Sequence, residues 1–378
     1  MKRFARFFAV AACAVMLLAL AACGGGEQKA EEKPAEKAEK AASAEKEDQL
    51  KVGFVYVSPV GDAGYSYSHD LGRKAVAEMP GVKTSFVESV MEGADSERVI
   101  RNMANNGFDL VFTTSFGYMD PTKRVAKEFP DVAFMHCSGF KKAENMSNYF
   151  GRMYQARYLT GLVAGSMTEG NKIGYVAAFP IPEVIRGINA FTLGVREANP
   201  EAQVRVVWTK TWYDPALEKD AAISLLDVGC DVIAQHQDSP GPQEAAQERG
   251  KYSVGYNSDM SAFAPKAHLT AAIWNWAPVY KETVKKVQEG TWEGNQSLWW
   301  GMETGVVDVA PMGDMVPAEV KKLVEEKKAE LEGGKDIVFT GPIKNQKGEV
   351  VIPEGEKADD GQLLGMNYFV EGVIGNTE

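Results

Sequence analysis

From residue 51 onward the chain alternates short, unbroken apolar runs with longer stretches whose apolar residues return every three or four positions. Lys51-Val-Gly-Phe-Val-Tyr-Val57 is the first run, and after a loop containing Gly61 and Gly64 the residues Leu71, Ala75 and Met79 fall on one helical face. Similar β-rich runs occupy 84–90, 110–114, 132–137, 172–178, 204–209, 231–236 and 252–256, separated by faces such as Val184, Ile188, Phe191 and Val195. An unbroken apolar run buries both faces of a strand, and a helix after each strand carries the chain back to add the next one in parallel. The expected fold class is therefore α/β, in two doubly wound lobes, since the span from Leu50 to Glu378 exceeds the roughly 250 to 300 residues at which a single core stops growing.

The first 49 residues follow a different rule. Lys2, Arg3 and Arg6 precede an apolar run from Phe7 to Ala22 that ends in Leu20-Ala21-Ala22-Cys23. That run is shorter than the roughly 20 residues that span a bilayer as a helix, so a secretory leader is predicted over 1–22 rather than a permanent span. Small residues before a cysteine form a lipobox: cleavage leaves Cys23 at the new N-terminus with lipid on its thiol. Residues 23–49, dominated by Gly, Ala, Glu and Lys with no large apolar side chain to bury, are expected to be the lipidated cysteine and a solvated tether. The protein is thus expected outside the cytoplasm, anchored to the cell membrane by its N-terminal lipid.

Composition narrows the chemistry. The chain is 45% hydrophobic and 25% charged, and its net charge of -11 becomes -14 once Lys2, Arg3 and Arg6 leave with the leader. So acidic a surface repels phosphate backbones, and nucleic acid is not expected as a partner. Of the four cysteines, Cys13 leaves with the leader and Cys23 is the lipid site. Cys137 and Cys230 are expected as buried free thiols, because a disulfide would have to join distant segments. No GxxxxGKS/T loop, HExxH or CxxC occurs, and His69, His136, His236 and His268 are scattered, so neither cofactor nor metal is expected. His236, Asp238 and Ser239 imitate a hydrolase set in composition only. Residues two or three apart in one strand-to-loop segment do not bring nucleophile, base and orienter into line, so an enzyme is not expected.

Chemistry concentrates where the predicted strands end, which is where open α/β sheets bind ligands. Tyr65, Phe116, Tyr118, Phe179, Trp212 and Tyr213 recur in those loops, interleaved with Asp62, Asp214, Asp238 and Asp259. Several flat rings with a few carboxylates and amides describe a slot for a planar, hydrogen-bonding heterocycle. For each aromatic taken singly, a place in a lobe core or on the cleft rim competes with that reading.

The lipobox and the segments KVGFVYVSPVGDAGYSYSHDLGR, GFDLVFTTSFGYMDP, FPIPEVIRGINAF and WYDPALEKDAA resemble the basic membrane protein family of lipoproteins, over essentially the whole body. The resemblance implies a type I periplasmic binding protein fold, two lobes closing on a ligand in the cleft between them. It also implies a substrate-binding component of an ABC importer, partnered by a permease and its ATPase, and the best-known members bind purine nucleosides. Carried over by motif, the family's acidic residue and stacking ring after the first strand fall on Asp62 and Tyr65, and its second ring falls on Trp212. Asp238 is the expected partner of an exocyclic amino group, with Asp62 next; the competing role for Asp238 is to cap the helix that begins near Pro240.

Nucleoside-binding relatives carry an aspartate after the eighth strand and a lysine in the following helix for the ribose. The matching positions here are Asn257 and Trp274, inside the run Trp274-Asn275-Trp276. An indole in place of an ammonium removes a multi-donor cation and fills its volume, so the departure implies a free base, adenine-like or guanine-like, rather than a nucleoside. With Phe116, Phe179 and Asp259, these residues form the expected ligand set. Riboflavin, bound by some relatives, is a planar rival that needs a larger slot; a nucleoside hydrolase and a ligand-loaded sensor are rivals from other classes.

The implied crossings between lobes put 50–165 and about 260–290 in the first lobe, and 166–259 and about 291–378 in the second. Trp292, Trp299 and Trp300, near Gly290, Gly294 and Gly301, are expected to pack where the chain crosses back. A charged surface helix is expected over 321–334 and a hairpin over 341–354.

Overall fold

A computed structural model describes residues 49–377; the predicted leader, the lipobox with Cys23 and the tether to residue 48 lie outside the described residues. Strands β1 (Leu50–Tyr56), β2 (Val82–Val87), β3 (Leu110–Thr114), β4 (Ala133–Cys137) and β5 (Met146–Gly151) come first. They are followed by β6 (Lys172–Ala177), β7 (Gln203–Trp208), β8 (Val232–His236), β9 (Tyr252–Asn257) and β10 (His268–Trp274). Then come β11 (Ser297–Trp300), β12 (Val307–Val309), β13 (Ile343–Lys344), β14 (Val350–Ile352) and β15 (Val373–Ile374). Two sheets result, ordered β11-β5-β4-β3-β1-β2 and β12-β10-β9-β8-β6-β7-β15, with β13 and β14 pairing separately in the expected hairpin region. Every pairing in the first sheet is parallel. In the second, only β12 runs antiparallel, against β10.

Buried runs explain the layers. β3 and β4 are buried along their whole length, and their side chains alternate between two cores. Val52, Phe54, Leu110, Phe112 and Met135 enter the large core, while Val55, Val111 and Phe134 meet Val99, Ile100 and Val125 from the helices Ala94–Asn105 and Met119–Glu128. In the second lobe the helices Met153–Met167 and Pro182–Ala198 approach so closely that a Cβ added at Gly161, Gly165 or Gly194 would stand 2.1 to 2.3 Å from a carbonyl oxygen of the partner helix. Cys137 and Cys230 are buried free thiols.

The passages between lobes fall elsewhere than the expected boundaries near 165, 260 and 290. β5 ends at Gly151, and the helix Met153–Met167 already packs on β10 and β12 of the second sheet. β10 belongs to the second sheet, the helix Ala277–Gln288 packs on Tyr65–Ala77 of the first lobe, and β11 pairs with β5 before β12 returns to the second sheet. The three passages are bonded to one another: Arg152 N donates to Trp300 O (2.6 Å), Asn275 N to Val306 O (2.8 Å) and Trp299 Nε1 to Gly151 O (3.1 Å). Among them Trp274 and Trp276 stack with centroids 4.5 Å apart. Gly151 lies against this stack, where a Cβ would meet the Trp274 ring at 2.5 Å.

Candidate functional site

The loops leaving the carboxyl ends of the two sheets enclose a narrow cavity. The first lobe lines it with Val57, Tyr65, Ser115, Phe116 and Ser138, the second with Glu183, Trp212, His236, Asp238 and Tyr256. The lobes touch beside it. Ser258 Oγ donates to Ala63 O, and the Gly64 backbone abuts that of Asp238 so closely that a Cβ on Gly64 would be 2.1 Å from the Asp238 carbonyl oxygen.

Each ring is held by its loop. Tyr65 opens the helix Tyr65–Ala77, whose start is organised by Asp62: Oδ1 accepts from Gly64 N (2.7 Å) and Tyr67 N (3.0 Å), Oδ2 from Ser58 Oγ (2.6 Å) and Ser66 N (3.1 Å). Both Asp62 oxygens are engaged by the loop, and Asp62 stands off the cavity wall. Burial raises its carboxyl pKa above the usual value, against the pull of these donors. The Tyr65 hydroxyl donates to Cys137 Sγ at 3.3 Å. Phe116 is steadied by Glu92, which accepts from Ser115 Oγ (2.5 Å) and Gly117 N (3.0 Å). Trp212 precedes the helix Pro215–Asp227, where Asp214 accepts from Leu217 N at 3.0 Å and proline at the first turn fixes the entry. Phe179 packs on Trp212 with centroids 4.9 Å apart and does not line the cavity.

Asp238 is positioned by a relay. Trp274 Nε1 donates to Asn257 Oδ1 (3.0 Å), and Asn257 Nδ2 donates to Asp238 Oδ1 (3.0 Å). An indole N–H can only donate, so the amide oxygen must face Trp274 and the amide nitrogen must face the carboxyl. Asn257 adopts φ of 70°, a left-handed conformation that asparagine tolerates. Among the described residues Asp238 Oδ2 has no hydrogen-bond partner, and burial, reinforced by the charges of Asp62 and Glu218, pushes the carboxyl well above its usual range. Trp274 therefore stands behind Asn257 rather than on the wall, against Gly151 at the interlobe passage. Asp259 is exposed and accepts from Ser261 N at 2.9 Å, serving a turn outside the cavity.

Glu183, His236, Tyr256, Ser115, Ser138 and Val57 reach the cavity without having been expected there. Glu183 lies in the first turn of the helix Pro182–Ala198, where an acidic residue reads as a partner of the helix dipole. Its Oε2 is buried without a hydrogen-bond partner, and its Oε1 is 3.9 Å from His236 Nε2. Burial pushes the Glu183 carboxyl up to about 7, with Arg186 and Arg157 pulling back, while burial and the same two arginines hold His236 well below its usual value and hence neutral. The Arg157 guanidinium lies 3.6 Å over the Tyr256 ring and donates to Gln235 O at 2.7 Å.

Glu183 gives the ligand-free protein a pH signature. A folded-state pKa near 7 against 4.5 for the unfolded chain means that its stabilising contribution is complete below 4.5 and is lost as pH rises through 7. Between pH 5 and 8, denaturant unfolding is expected to show the wild type losing about 2 kcal/mol more than Glu183→Gln. Equal losses would contradict the burial of this carboxyl.

Comparison with known proteins agrees with this architecture. The family profile described as ABC transporter substrate-binding protein, PnrA-like, matches residues 49–347. A purine-binding protein of Brucella abortus is 49% identical over 333 residues, covering 88% of this chain and 95% of its own length. A putative ABC transporter glucose-binding protein of Haloferax volcanii is 42% identical over 87% of this chain and 81% of its own. Among solved structures, a solute-binding protein of an ABC transporter system from Aeropyrum pernix superposes with a TM-score of 0.67 at 20% identity, covering 83% of this chain and 95% of that one. One from Conexibacter woesei gives 0.63 at 25% identity, covering 76% and 98%. The chain belongs to the basic membrane protein family, the PnrA-like substrate-binding proteins of ABC transporters.

Proposed function

We propose that this protein is a lipid-anchored, extracytoplasmic receptor that captures a purine between aromatic rings of its two lobes, with a free base favoured over a nucleoside, and hands it to an ABC permease and its ATPase. The observation that carries the reading is the cavity itself: Tyr65 and Phe116 line it from one lobe, Trp212 and Asp238 from the other, and one Asp238 carboxyl oxygen has no hydrogen-bond partner among the described residues. Rings from opposite lobes suit a flat solute, each aromatic contact adding about 1 kcal/mol beyond the area it buries. The Brucella relative's name supports a purine; the Haloferax relative's name supports a sugar. Ring-rich walls favour the first.

Mass spectrometry of small molecules released on denaturing the purified mature protein tests the reading. A purine base is expected. Stoichiometric nucleoside would overturn the preference for a free base, and glucose or no aromatic compound would overturn the purine.

The relay behind Asp238 makes a separate prediction. Trp274→Phe keeps a ring in the stack but removes the donor that fixes the Asn257 amide, and one hydrogen bond of about 1 kcal/mol corresponds to an affinity loss of several-fold. Calorimetric titration with adenine would measure it; unchanged affinity would show that Asp238 holds its position unaided.

A further inference from the structure

Glu183 is unused by the purine reading as stated. The residue lines the cavity, its Oε2 is buried without a partner, and its Oε1 is too far from His236 for a hydrogen bond. Glu183, in a helix's first turn, and Asp238, in a loop, thus bring two incompletely partnered carboxyls to one cavity from different segments of the second lobe. A ligand that satisfies both must carry donors at two separate places.

Glu183 also marks a border. Together with Phe116 and Ser138 it lines a second interlobe groove, whose walls include Phe140, Asn148, Arg186 and Trp299. Whatever ligand atom faces Glu183 is where a substituent would have to leave the cavity. A substituent passing there replaces the N–H that the carboxyl would accept, and leaves a buried acceptor unpaired.

A free purine base offers donors at two places: an amino group or ring N–H on the six-membered ring, and the N–H of the imidazole ring. Substitution at N9 removes the second. We propose that Glu183 accepts the imidazole-ring N–H and, with Asp238 on the opposite edge, makes the site selective for purine bases unsubstituted at that nitrogen. This rests on the purine reading, and the experiment separates the two.

The mature protein is titrated calorimetrically with adenine and 9-methyladenine, then with guanine and 9-methylguanine. The wild type is expected to prefer each free base at least 100-fold. Glu183→Leu is expected to narrow that preference below 10-fold by weakening the free base, and Glu183→Gln, which keeps a carbonyl acceptor, to fall between. Asp238→Asn is expected to weaken free and methylated bases alike, leaving their ratio unchanged. A full preference surviving in both Glu183 variants, or a wild type indifferent to the methyl group, would overturn the role of Glu183 while leaving the purine reading standing. A wild type that binds none of the four compounds would overturn the purine reading itself.

Discussion

Replacing Asp238 with alanine is expected to lower the affinity for adenine and guanine at least 100-fold. Asp238 is the polar anchor on the cavity wall, with Trp274 and Asn257 fixing one of its oxygens. A hydrogen bond contributes about 1 kcal/mol, and a ligand amino group left unpaired in a buried site adds a penalty of about 1 to 3 kcal/mol. Micromolar binding requires about -8 kcal/mol, which a base of roughly ten non-hydrogen atoms reaches only if nearly every atom contributes, so the loss cannot be absorbed. The fold should survive, because the substitution also removes a carboxyl that burial and the charges of Asp62 and Glu218 disfavour. Titration calorimetry with a parallel thermal melt checks both statements. Wild-type affinity in a folded variant would remove Asp238 from the site.

Gly64→Val is expected to have an effect as large through a different cause. The variant's Cβ would fall 2.1 Å from the Asp238 carbonyl oxygen and 2.7 Å from its carbon, distances that only separation of the two segments relieves. Those segments belong to different lobes, so the relief holds the cleft open, and the contact from Ser258 to Ala63 goes with it. A ligand then meets one lobe's wall instead of two. If closure is what ligand binding selects, affinity should fall by about 100-fold or more while neither lobe core is disturbed. Small-angle scattering should show the wild type contracting on addition of adenine and the variant failing to contract. Contraction and wild-type affinity in Gly64→Val would mean that the interlobe contact is not part of the bound state.

How far the fold could be read from the sequence depended on how continuously each strand is apolar. β1, β3, β4, β6, β8 and β9 are largely buried runs, β7 alternates exposed and buried residues, and the pattern located all of them to within a residue or two. β5 is buried throughout and β10 nearly so, but Ser147, Asn148, His268 and Thr270 interrupt their apolar runs, so their pattern gave no strand, and the lobe boundaries shifted with them. At the site, the rule that loops at strand ends carry chemistry selected Tyr65, Phe116, Trp212 and Asp238, all of which line the cavity. The same rule cannot tell a carboxylate that faces a ligand from one that holds a turn, and Asp62 and Asp259 do the latter. Glu183 was hidden by its helix-start context. Trp274 was placed in the right neighbourhood but one residue too far forward, because only the packed structure shows that Asn257 stands between it and Asp238.

The most direct test is a crystal structure of the mature protein grown with adenine. The account predicts the base in the interlobe cavity, its faces covered by Trp212 and by Tyr65 or Phe116, with one edge on Asp238. Density for adenine elsewhere, or a closed cleft that excludes it, would contradict the account.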